Sequence, residues 1–554
     1  FAATLGWAQS NSPAVTKVDP PGWWQGGAWN PVRLLLRGAN LSGARLEAPS
    51  PLRAGNIRVN DRGTYLFADL DLSKARNAGR VNLRVITAAG GSDVPFDVLP
   101  PLNRAGRFQG FGPDDIVYLA MPDRFSNGDA SNDDPAQSRG LFDPSAPRYY
   151  HGGDLRGVID RLPYLQSLGV TALWLNPWYD NNNRLNEMER YGGKPITDYH
   201  GYGAVDFYAV EEHFGTLETL RTLVDKAHAS GIKVIQDQVA NHTGPYHPWV
   251  KDSPLPDWFH GTQGGHLAED WQTWTLMDPF ASPSVRKKTL EGWFIDLLPD
   301  LNQENPETRR YVIQNALWWV GVTGLDGIRQ DTLPYAPREF WAEWRQALAR
   351  EFPNLNVVGE VMDGDPAMVS FFQGGAKRPD GIDSRIESVF DFPLFYALRR
   401  AFARGETVRE VGRLLAHDWL YPAPPRLVTL LGLHDVARFM NEKGATMDGL
   451  KLAFSFLFTA RGIPMVYYGD EIAMAGGEDP DNRRDFPKAA FDASGRSEAQ
   501  QEVWSHVQRM AALRRDSEAL RHGETLLLEQ SEQTLVYARR SRKDLVLAAF
   551  HNAP

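Results

Sequence analysis

One stretch decides the fold: Leu155-Arg-Gly-Val-Ile-Asp-Arg-Leu-Pro-Tyr-Leu-Gln-Ser-Leu-Gly-Val-Thr-Ala-Leu-Trp-Leu175. Its first part places apolar side chains on one face of a predicted helix, and they are Leu155, Val158, Ile159, Leu162, Leu165 and Leu168. Its last part, Thr171–Leu175, is a short apolar run that is typical of a buried strand. Strands that alternate with helices in this way indicate a parallel sheet covered by helices.

The same alternation continues toward the C-terminus. A second amphipathic helix carries Leu217, Leu220, Leu223, Val224 and Ala227. Eight buried strands are predicted in all: Ile116–Met121, Thr171–Leu175, Ile232–Asp237, Leu325–Asp331, Asn356–Glu360, Glu387–Phe392, Leu427–Leu431 and Pro464–Tyr468. This number favours a (β/α)8 TIM barrel of the α/β class over an open sheet.

The barrel is predicted to occupy residues 109–522, which is longer than the ~250 residues typical of this fold. Most of the excess lies between Asp237 and Leu325, in a segment rich in Pro, Trp, His and Gly. We therefore predict a small subdomain inserted after the third strand, at about 243–305.

The chain on either side of the barrel has a different pattern. Residues 11–108 contain short alternating runs separated by Gly, Asn, Asp and Pro, which predicts an N-terminal β-sandwich. Residues 523–554 return to a β pattern that breaks off, so they are interpreted as an incomplete C-terminal β-domain. Residues 1–10 are interpreted as the remnant of a signal peptide, with a frayed terminus as the alternative, and predict a periplasmic or secreted protein.

Composition excludes several classes of protein. The 554 residues carry 59 basic and 69 acidic side chains, and the net charge of −10 argues against binding to nucleic acid or to an anionic membrane surface. No run approaches the ~18 apolar residues of a membrane span. The absence of Cys excludes disulfides, thiolate metal sites and a Cys nucleophile.

Three of the predicted strands end in an acidic residue, and a fourth is followed by one shortly after its end; these residues are Asp237, Asp331, Glu360 and Asp435. The C-terminal ends of barrel strands surround one central pocket, so these carboxylates are expected to lie close together. Crowding like charges is unfavourable, which makes a purely structural explanation of all four poor. Glycosidic bond cleavage requires such a group, with one carboxylate ionised and one carboxyl held protonated. A metallohydrolase could also use the cluster, although no His-carboxylate array has the spacing of a catalytic metal site.

These residues resemble motifs of the α-amylase family of glycoside hydrolases. The motifs read Asp237-Gln-Val-Ala-Asn-His242, Gly327-Ile-Arg-Gln-Asp331, Gly359-Glu-Val361 and His434-Asp435 followed by Arg438. They occur in the family's order, on strands three, four, five and seven. Within the family, Val18-Asp-Pro-Pro-Gly-Trp-Trp24 and Leu298-Pro-Asp-Leu-Asn302 resemble the cyclomaltodextrinase and neopullulanase branch.

The resemblance implies a retaining mechanism with Asp331 as the nucleophile and Glu360 as the acid and base. Asp435 is implied to bind sugar hydroxyls and to help keep Glu360 protonated. Arg329 is two residues before Asp331 and should face the same way, which would keep that carboxylate ionised. The remaining substrate contacts implied by the resemblance are His242, His434, Tyr202, His200, Asp479 and Arg483.

A second polar constellation follows the first strand. The segment Asn127-Gly-Asp-Ala-Ser-Asn-Asp133 has oxygen ligands at Asn127, Asp129, Asn132 and Asp133. Gly152 and Asp154 could complete such a site through a backbone carbonyl and a carboxylate. The resemblance implies a structural Ca²⁺ here, and the alternative is a solvated polar turn.

The function implied is hydrolysis of α-1,4-glucosidic bonds in cyclomaltodextrins and maltooligosaccharides. Related alternatives are a neopullulanase, a maltogenic amylase or an α-glucan transglycosylase, and a different class is a non-catalytic carbohydrate-binding protein. The chain departs from the family pattern at Leu433, before His434, and at Thr332-Leu-Pro-Tyr335, after the nucleophile. The second segment lacks a Lys-His pair that the resemblance places on the leaving side of the cleft, and this argues against endo-acting starch hydrolysis. The partner is an oligosaccharide, and a homodimer is left open.

Overall fold

The computed structural model describes residues 11–552. The predicted signal-peptide remnant at 1–10 lies outside this range. Within the described range, no helix combines the length and the apolar character needed to cross a membrane.

The centre of the molecule is a parallel eight-stranded barrel. Its strands in chain order are Val117–Ala120, Ala172–Leu175, Lys233–Gln238, Gly327–Gln330, Asn356–Gly359, Ser388–Val389, Val428–Leu430 and Ile463–Tyr467. Strands one to six pair in chain order, the seventh pairs with the eighth, and the eighth pairs with the first. A single parallel bridge between Phe390 and Val428 connects the sixth strand with the seventh. All eight predicted strands are therefore found, and the predicted fold class is confirmed.

Helices cover the barrel. Those between the barrel strands and after the eighth include Leu155–Asp160, Leu162–Leu168, Leu217–Ala229, Pro306–Thr323, Arg338–Glu351, Pro366–Phe372, Phe392–Leu398, Arg409–Leu415, Met447–Thr459 and Glu498–Asp516. The apolar face predicted for 155–168 is buried, but it belongs to two short helices that meet at Arg161. Pro163 is near the start of the second helix, and its missing N–H explains why a continuous helix does not form.

The N-terminal domain consists of two four-stranded sheets. One contains Ala14–Asp19, Val32–Ala39, Tyr65–Asp71 and Arg53–Val59, and the other Gly22–Trp24, Gly90–Leu99, Gly79–Thr87 and Arg45–Glu47, both in spatial order. The domain packs on the barrel through Trp24, which is buried against Gly321 of a barrel helix. A Cβ at Gly321 would lie 2.5 Å from Cζ3 of Trp24, so this contact requires glycine.

The segment after the third strand folds as the predicted insertion. It contains the helices Pro248–Lys251, Trp274–Met277 and Pro283–Glu291 and the two-residue strands Leu267–Ala268 and Gly292–Trp293. The C-terminal residues form an antiparallel sheet of Glu524–Gln530, Thr534–Arg540 and Leu545–His551 after the helix Glu518–His522. The domain limits drawn from the sequence, 11–108, 109–522 and 523–554, stay predictions.

Candidate active site

The C-terminal ends of three adjacent barrel strands position the central carboxylates. Asp237 lies within Lys233–Gln238, whereas Asp331 and Glu360 directly follow their strands. Asp331 N–H donates to the Gln238 carbonyl at 3.0 Å, and Glu360 N–H donates to the Gln330 carbonyl at 3.0 Å. These bonds extend the parallel pairing beyond the strands and fix both side chains at the mouth of the barrel.

Arg329 lies at the centre of this group and is fully buried. Its Nη1 donates to Asp331 Oδ1 at 2.7 Å and to Asp237 Oδ1 at 2.8 Å. Its Nη2 lies 2.5 Å from Glu360 Oε1, in an ion pair without the orientation of a hydrogen bond. One guanidinium therefore holds three carboxylates together, and the predicted direction of Arg329 toward Asp331 is found.

Glu360 and Asp331 are both buried. Burial raises the pKa of Glu360 to about 8; the Arg329 guanidinium opposes the rise, and the Asp331 and Asp435 carboxylates add to it. Burial also raises the pKa of Asp237 to about 7, with Arg329 again opposing. Glu360 can therefore carry a proton near neutral pH and donate it to a neighbouring oxygen.

Thr332 contributes to this arrangement in a way that the sequence did not indicate. Its hydroxyl donates to Asp331 Oδ2 at 3.0 Å, and its N–H donates to Glu360 Oε2 at 3.3 Å. Its φ of 50° lies in the left-handed region, which a β-branched residue rarely adopts. Such strain is characteristic of functional sites, where surrounding contacts hold a residue in place.

Asp435 follows the seventh barrel strand and is partly exposed. His434 Nε2 lies 3.2 Å from Asp435 Oδ2, and Arg483 Nη2 donates to Asp435 Oδ1 at 3.2 Å. The Tyr202 hydroxyl contacts His434 Nε2 and Asp237 Oδ2, each at 2.8 Å, and the Tyr202 and His434 rings stack. Tyr202, His434, Asp435 and Arg483 thus belong to one polar network.

The other two predicted histidines line the same cavity. His242 is buried and its Nε2 has no protein partner, so this nitrogen is available to a bound hydroxyl. His200 Nδ1 accepts the Tyr202 N–H at 3.1 Å. Burial lowers the pKa of His242, His200 and His434, which keeps all three neutral at ordinary pH.

The cavity has a volume of about 500 Å³ and is lined by two chemically different groups of side chains. One group forms an apolar wall of Trp271, Phe294, Ile295, Tyr335 and Met362. The other group is polar and consists of Arg148, Glu189, Asp198, Asp479 and Arg483. The structure therefore brings together every predicted catalytic and substrate-binding residue. Arg148, in a loop, and Glu189, in the short strand Asn186–Tyr191, were missed because neither segment has a distinctive local pattern.

The predicted cation loop is also brought together. Asn127 Nδ2 donates to Asp133 Oδ1 at 2.7 Å, and Gly152 lies against both side chains. Burial raises the pKa of Asp133 and Asp154, and the Asp129 carboxylate raises both further. The Asn132 Oδ1 atom is buried without a partner. Asp154 differs from the other predicted ligands because its carboxylate already accepts hydrogen bonds from the backbone N–H groups of Gly128, Asp129 and Gly157.

The structure also contains a second cluster of possible metal ligands, which the sequence analysis did not predict. The possible ligand atoms of Glu211, Glu212 and His213 lie within 4.8 Å of one another in the described part of the chain. Glu211 is already bonded to His213 Nδ1 at 2.8 Å and to the Asn181 N–H at 3.0 Å. This pairing explains the burial of Glu211 without a bound cation.

A barrel whose strand ends carry a protonatable carboxyl beside an arginine-held carboxylate is the architecture of a glycoside hydrolase. Residues 119–516 match the family model for the alpha amylase catalytic domain, and residues 17–98 match the model for the cyclomaltodextrinase N-terminal domain. The chain belongs to the alpha-amylase family of glycoside hydrolases.

Similar proteins agree with this family. A cyclomaltodextrinase of Geobacillus thermopakistaniensis (strain MAS1) is 32% identical over 81% of this chain and 71% of its own length. A beta/alpha-amylase of Paenibacillus polymyxa is 32% identical over 74% of this chain, and this match spans only 31% of that longer protein. The crystal structure of an Anoxybacillus alpha-amylase is 34% identical, with a TM-score of 0.66, over 80% of this chain and 87% of that one.

Proposed function

We propose that this protein is a retaining hydrolase of α-1,4-glucosidic bonds in maltooligosaccharides and cyclomaltodextrins. The observation that carries the proposal is the sharing of Arg329 by Asp331 and Glu360, together with the raised pKa of about 8 at Glu360. Arg329 holds the two carboxyl groups close together, and the raised pKa of Glu360 suits it to the acid role that retention requires.

In the first step, an Asp331 oxygen attacks the anomeric carbon while Glu360 donates its proton to the departing glucosidic oxygen. The bond to the leaving sugar breaks, and a glucosyl ester of Asp331 forms. In the second step, Glu360 takes a proton from water, whose oxygen attacks the anomeric carbon and releases Asp331. Asp435, His242, His434 and Tyr202 bind the hydroxyls and the face of the sugar between the two carboxyl groups.

The deciding experiment compares β-cyclodextrin, maltotriose, pullulan and soluble starch side by side. Hydrolysis of the first two with an α-configured first product, followed by NMR, is the expected result. A β-configured first product would contradict retention. Sugar binding without turnover would favour the carbohydrate-binding alternative, and loss of activity in chelator that only a transition metal restores would favour a metallohydrolase.

A second candidate is an α-glucan transglycosylase, which shares the same ester intermediate. The apolar wall formed by Trp271, Phe294 and Tyr335 supports it, because aromatic rings at the leaving side can hold an acceptor sugar and exclude water. Formation of products longer than the starting oligosaccharide would favour this candidate over hydrolysis.

We further propose a structural Ca²⁺ held by Asn127, Asp129, Asn132, Asp133 and the Gly152 carbonyl. The buried Asn132 oxygen without a partner and the mutually repelling carboxylates support a cation. Asp154 would add negative charge from the start of its helix. The cation would stabilise the loop and has no role in the bond-breaking steps.

Two further parts of the proposal concern the whole protein. Export to the periplasm or the medium rests on residues 1–10 and is tested by cell fractionation. A homodimer is tested by light scattering of the purified protein, and a monomer at all concentrations would exclude it.

A further inference from the structure

Trp174 is a buried tryptophan beside the active-site carboxylates, and the proposed mechanism does not use it. It lies in the second barrel strand, Ala172–Leu175, and only 1% of its surface is exposed. Its side chain is not among those that line the active-site cavity. Any effect of Trp174 on the reaction must therefore act through its neighbours rather than through a contact with the sugar.

The indole N–H of Trp174 is hydrogen-bonded to Asp237. Trp174 Nε1 donates to Asp237 Oδ2 at 3.0 Å, and the same oxygen accepts the Tyr202 hydroxyl at 2.8 Å. The other oxygen, Asp237 Oδ1, accepts Nη1 of Arg329 at 2.8 Å. An indole N–H and a guanidinium can only donate hydrogen bonds. The donors around Asp237 therefore favour its ionised form.

The ring of Trp174 also packs against Arg329. Cζ of Arg329 lies 5.2 Å from the centroid of the ring, within the range of a cation–π interaction. Phe390 and His434 hold the indole from other sides, with ring centroids at 5.4 Å and 6.2 Å. Trp174 thus contacts both the guanidinium at the centre of the site and one of the three carboxylates that this guanidinium binds.

We propose that Trp174 is a positioning residue, whose indole N–H keeps Asp237 an ionised acceptor and whose ring supports the guanidinium of Arg329. This inference rests on the proposed function and adds a residue to it. Because Asp237 and Trp174 fix Arg329 from the side of the barrel interior, the guanidinium stays in contact with Asp331 and Glu360, the proposed nucleophile and acid.

Loss of the indole donor should change the charge of Asp237. Burial raises the pKa of Asp237 to about 7; Arg329 opposes the rise, Asp331 adds to it, and the Tyr202 hydroxyl opposes it. A carboxylate that loses a hydrogen-bond donor becomes easier to protonate. Without the Trp174 N–H, the pKa of Asp237 should rise further, so that this group is largely neutral at pH 7.

A neutral Asp237 should in turn lower the pKa of Glu360. Arg329 lowers the pKa of Glu360, and the Asp237 carboxylate bound to the same guanidinium offsets part of its positive charge. The other groups that act on Glu360 are the Asp331 and Asp435 carboxylates, which raise its pKa, and the Thr332 N–H, which lowers it. The substitution of Trp174 leaves these three groups in place.

The test compares Trp174→Phe with the matched control Trp178→Phe. Phenylalanine keeps an aromatic ring beside Arg329 but removes the N–H that Asp237 accepts. Trp178 is also buried and lies just beyond the same strand, and its Nε1 has no hydrogen-bond partner within residues 11–552. The control therefore makes the same loss of volume without removing a hydrogen bond. Steady-state kinetics on maltotriose is measured as a function of pH, and thermal unfolding gives Tm.

Trp174→Phe is expected to lower kcat at least ~10-fold, the effect of losing a hydrogen bond to a charged group. KM should change little, because no contact with the sugar is removed. The alkaline limb of kcat/KM should move to lower pH, because the acid loses its proton more easily. Trp178→Phe should keep kcat and the alkaline limb of the wild type, although both substitutions should lower Tm.

Asp237→Asn provides a second test that does not depend on the folding of Trp174→Phe. It makes residue 237 neutral, so the alkaline limb should again move to lower pH. Adding Trp174→Phe to this variant should move the limb little further, because the carboxylate through which Trp174 acts is absent.

Three results would overturn the inference and leave the proposed function intact. They are an alkaline limb that stays in place or moves to higher pH in Trp174→Phe or in Asp237→Asn, equal losses of kcat in Trp174→Phe and Trp178→Phe, and additive shifts in the double variant. Absence of any cleavage by the wild type would instead contradict the proposed function.

Discussion

Arg329 Nη1 lies 2.7 Å from Asp331 Oδ1, and both side chains project from the same strand end into a buried site. The same guanidinium also contacts Glu360 and Asp237. Burial raises the pKa of Glu360, and the Asp331 and Asp435 carboxylates raise it further against the opposing effect of Arg329. A single guanidinium thus holds the proposed nucleophile beside a carboxyl group that can carry a proton near neutral pH.

Replacing the proposed nucleophile should abolish turnover. We expect Asp331→Asn to lower kcat on the order of 10⁴-fold or more, because no other oxygen is placed to form the ester. Steady-state kinetics on maltotriose measures the loss, and thermal unfolding checks that the variant remains folded. Asp363→Asn, which changes a nearby carboxylate outside the cavity lining, is the control. Residual activity within ~10-fold of the wild type would exclude Asp331 as the nucleophile.

The pH dependence of kcat/KM should reflect the titration of the Glu360 carboxyl group. This group acts in its protonated form, so kcat/KM should be retained below its pKa of about 8 and lost as the pH rises through that value. Glu360→Gln should cost ~10²–10⁴-fold on maltotriose and much less on a substrate with an activated leaving group. The variant should also lose the alkaline limb. An unchanged alkaline limb, or equal losses on both substrates, would show that another group is the acid.

Removing the negative charge of Asp331 should change the pKa of Glu360. Because the Asp331 carboxylate raises the pKa of Glu360, Asp331→Asn is expected to lower it. NMR titration of the Glu360 carboxyl carbon in the two proteins measures the difference directly. A pKa that stays the same or rises would mean that the two carboxylates are not electrostatically coupled.

Calcium at the Asn127–Asp133 loop should affect stability more than catalysis. A cation that binds only the folded chain stabilises it by mass action. Chelator should therefore lower Tm, while kcat at moderate temperature should change little. Asp129→Ala should remove the calcium dependence of Tm, and Asp143→Ala, in the separate turn that contains Ser145, should keep it. Equal calcium dependence in both variants would indicate a polar turn without a bound cation.

The preference of the enzyme for short substrates over starch should depend on the inserted subdomain. We expect kcat/KM for cyclodextrins and maltooligosaccharides to exceed that for soluble starch by at least ~10-fold, about 1.4 kcal/mol of transition-state binding. Trp271→Ala should reduce this preference, because Trp271 forms part of the cavity wall. Trp274 is equally exposed but lies outside the cavity lining, so Trp274→Ala should retain the preference. Efficient starch cleavage with rapid loss of iodine staining would indicate an open cleft.

The sequence by itself determined the barrel and the central carboxylates. Period-3.6 helices such as 217–229 and short apolar strands specify a repeating βα order, because periodicity decides which face of each element is buried. Strand ends in a barrel meet at one rim, so Asp237, Asp331 and Glu360 could be placed together without knowing any loop.

Only the tertiary structure decided which side chains line the cavity and which groups hold the carboxylates. Glu189 and Arg148 reach the cavity from a hairpin strand and a separate loop, and their position depends on contacts to Asn186, Thr197 and Asp479 that no local pattern encodes. The left-handed Thr332 and its bond to Asp331 likewise depend on the surrounding packing. The raised pKa of Glu360 has the same origin, because burial and neighbouring charges are properties of the assembled site.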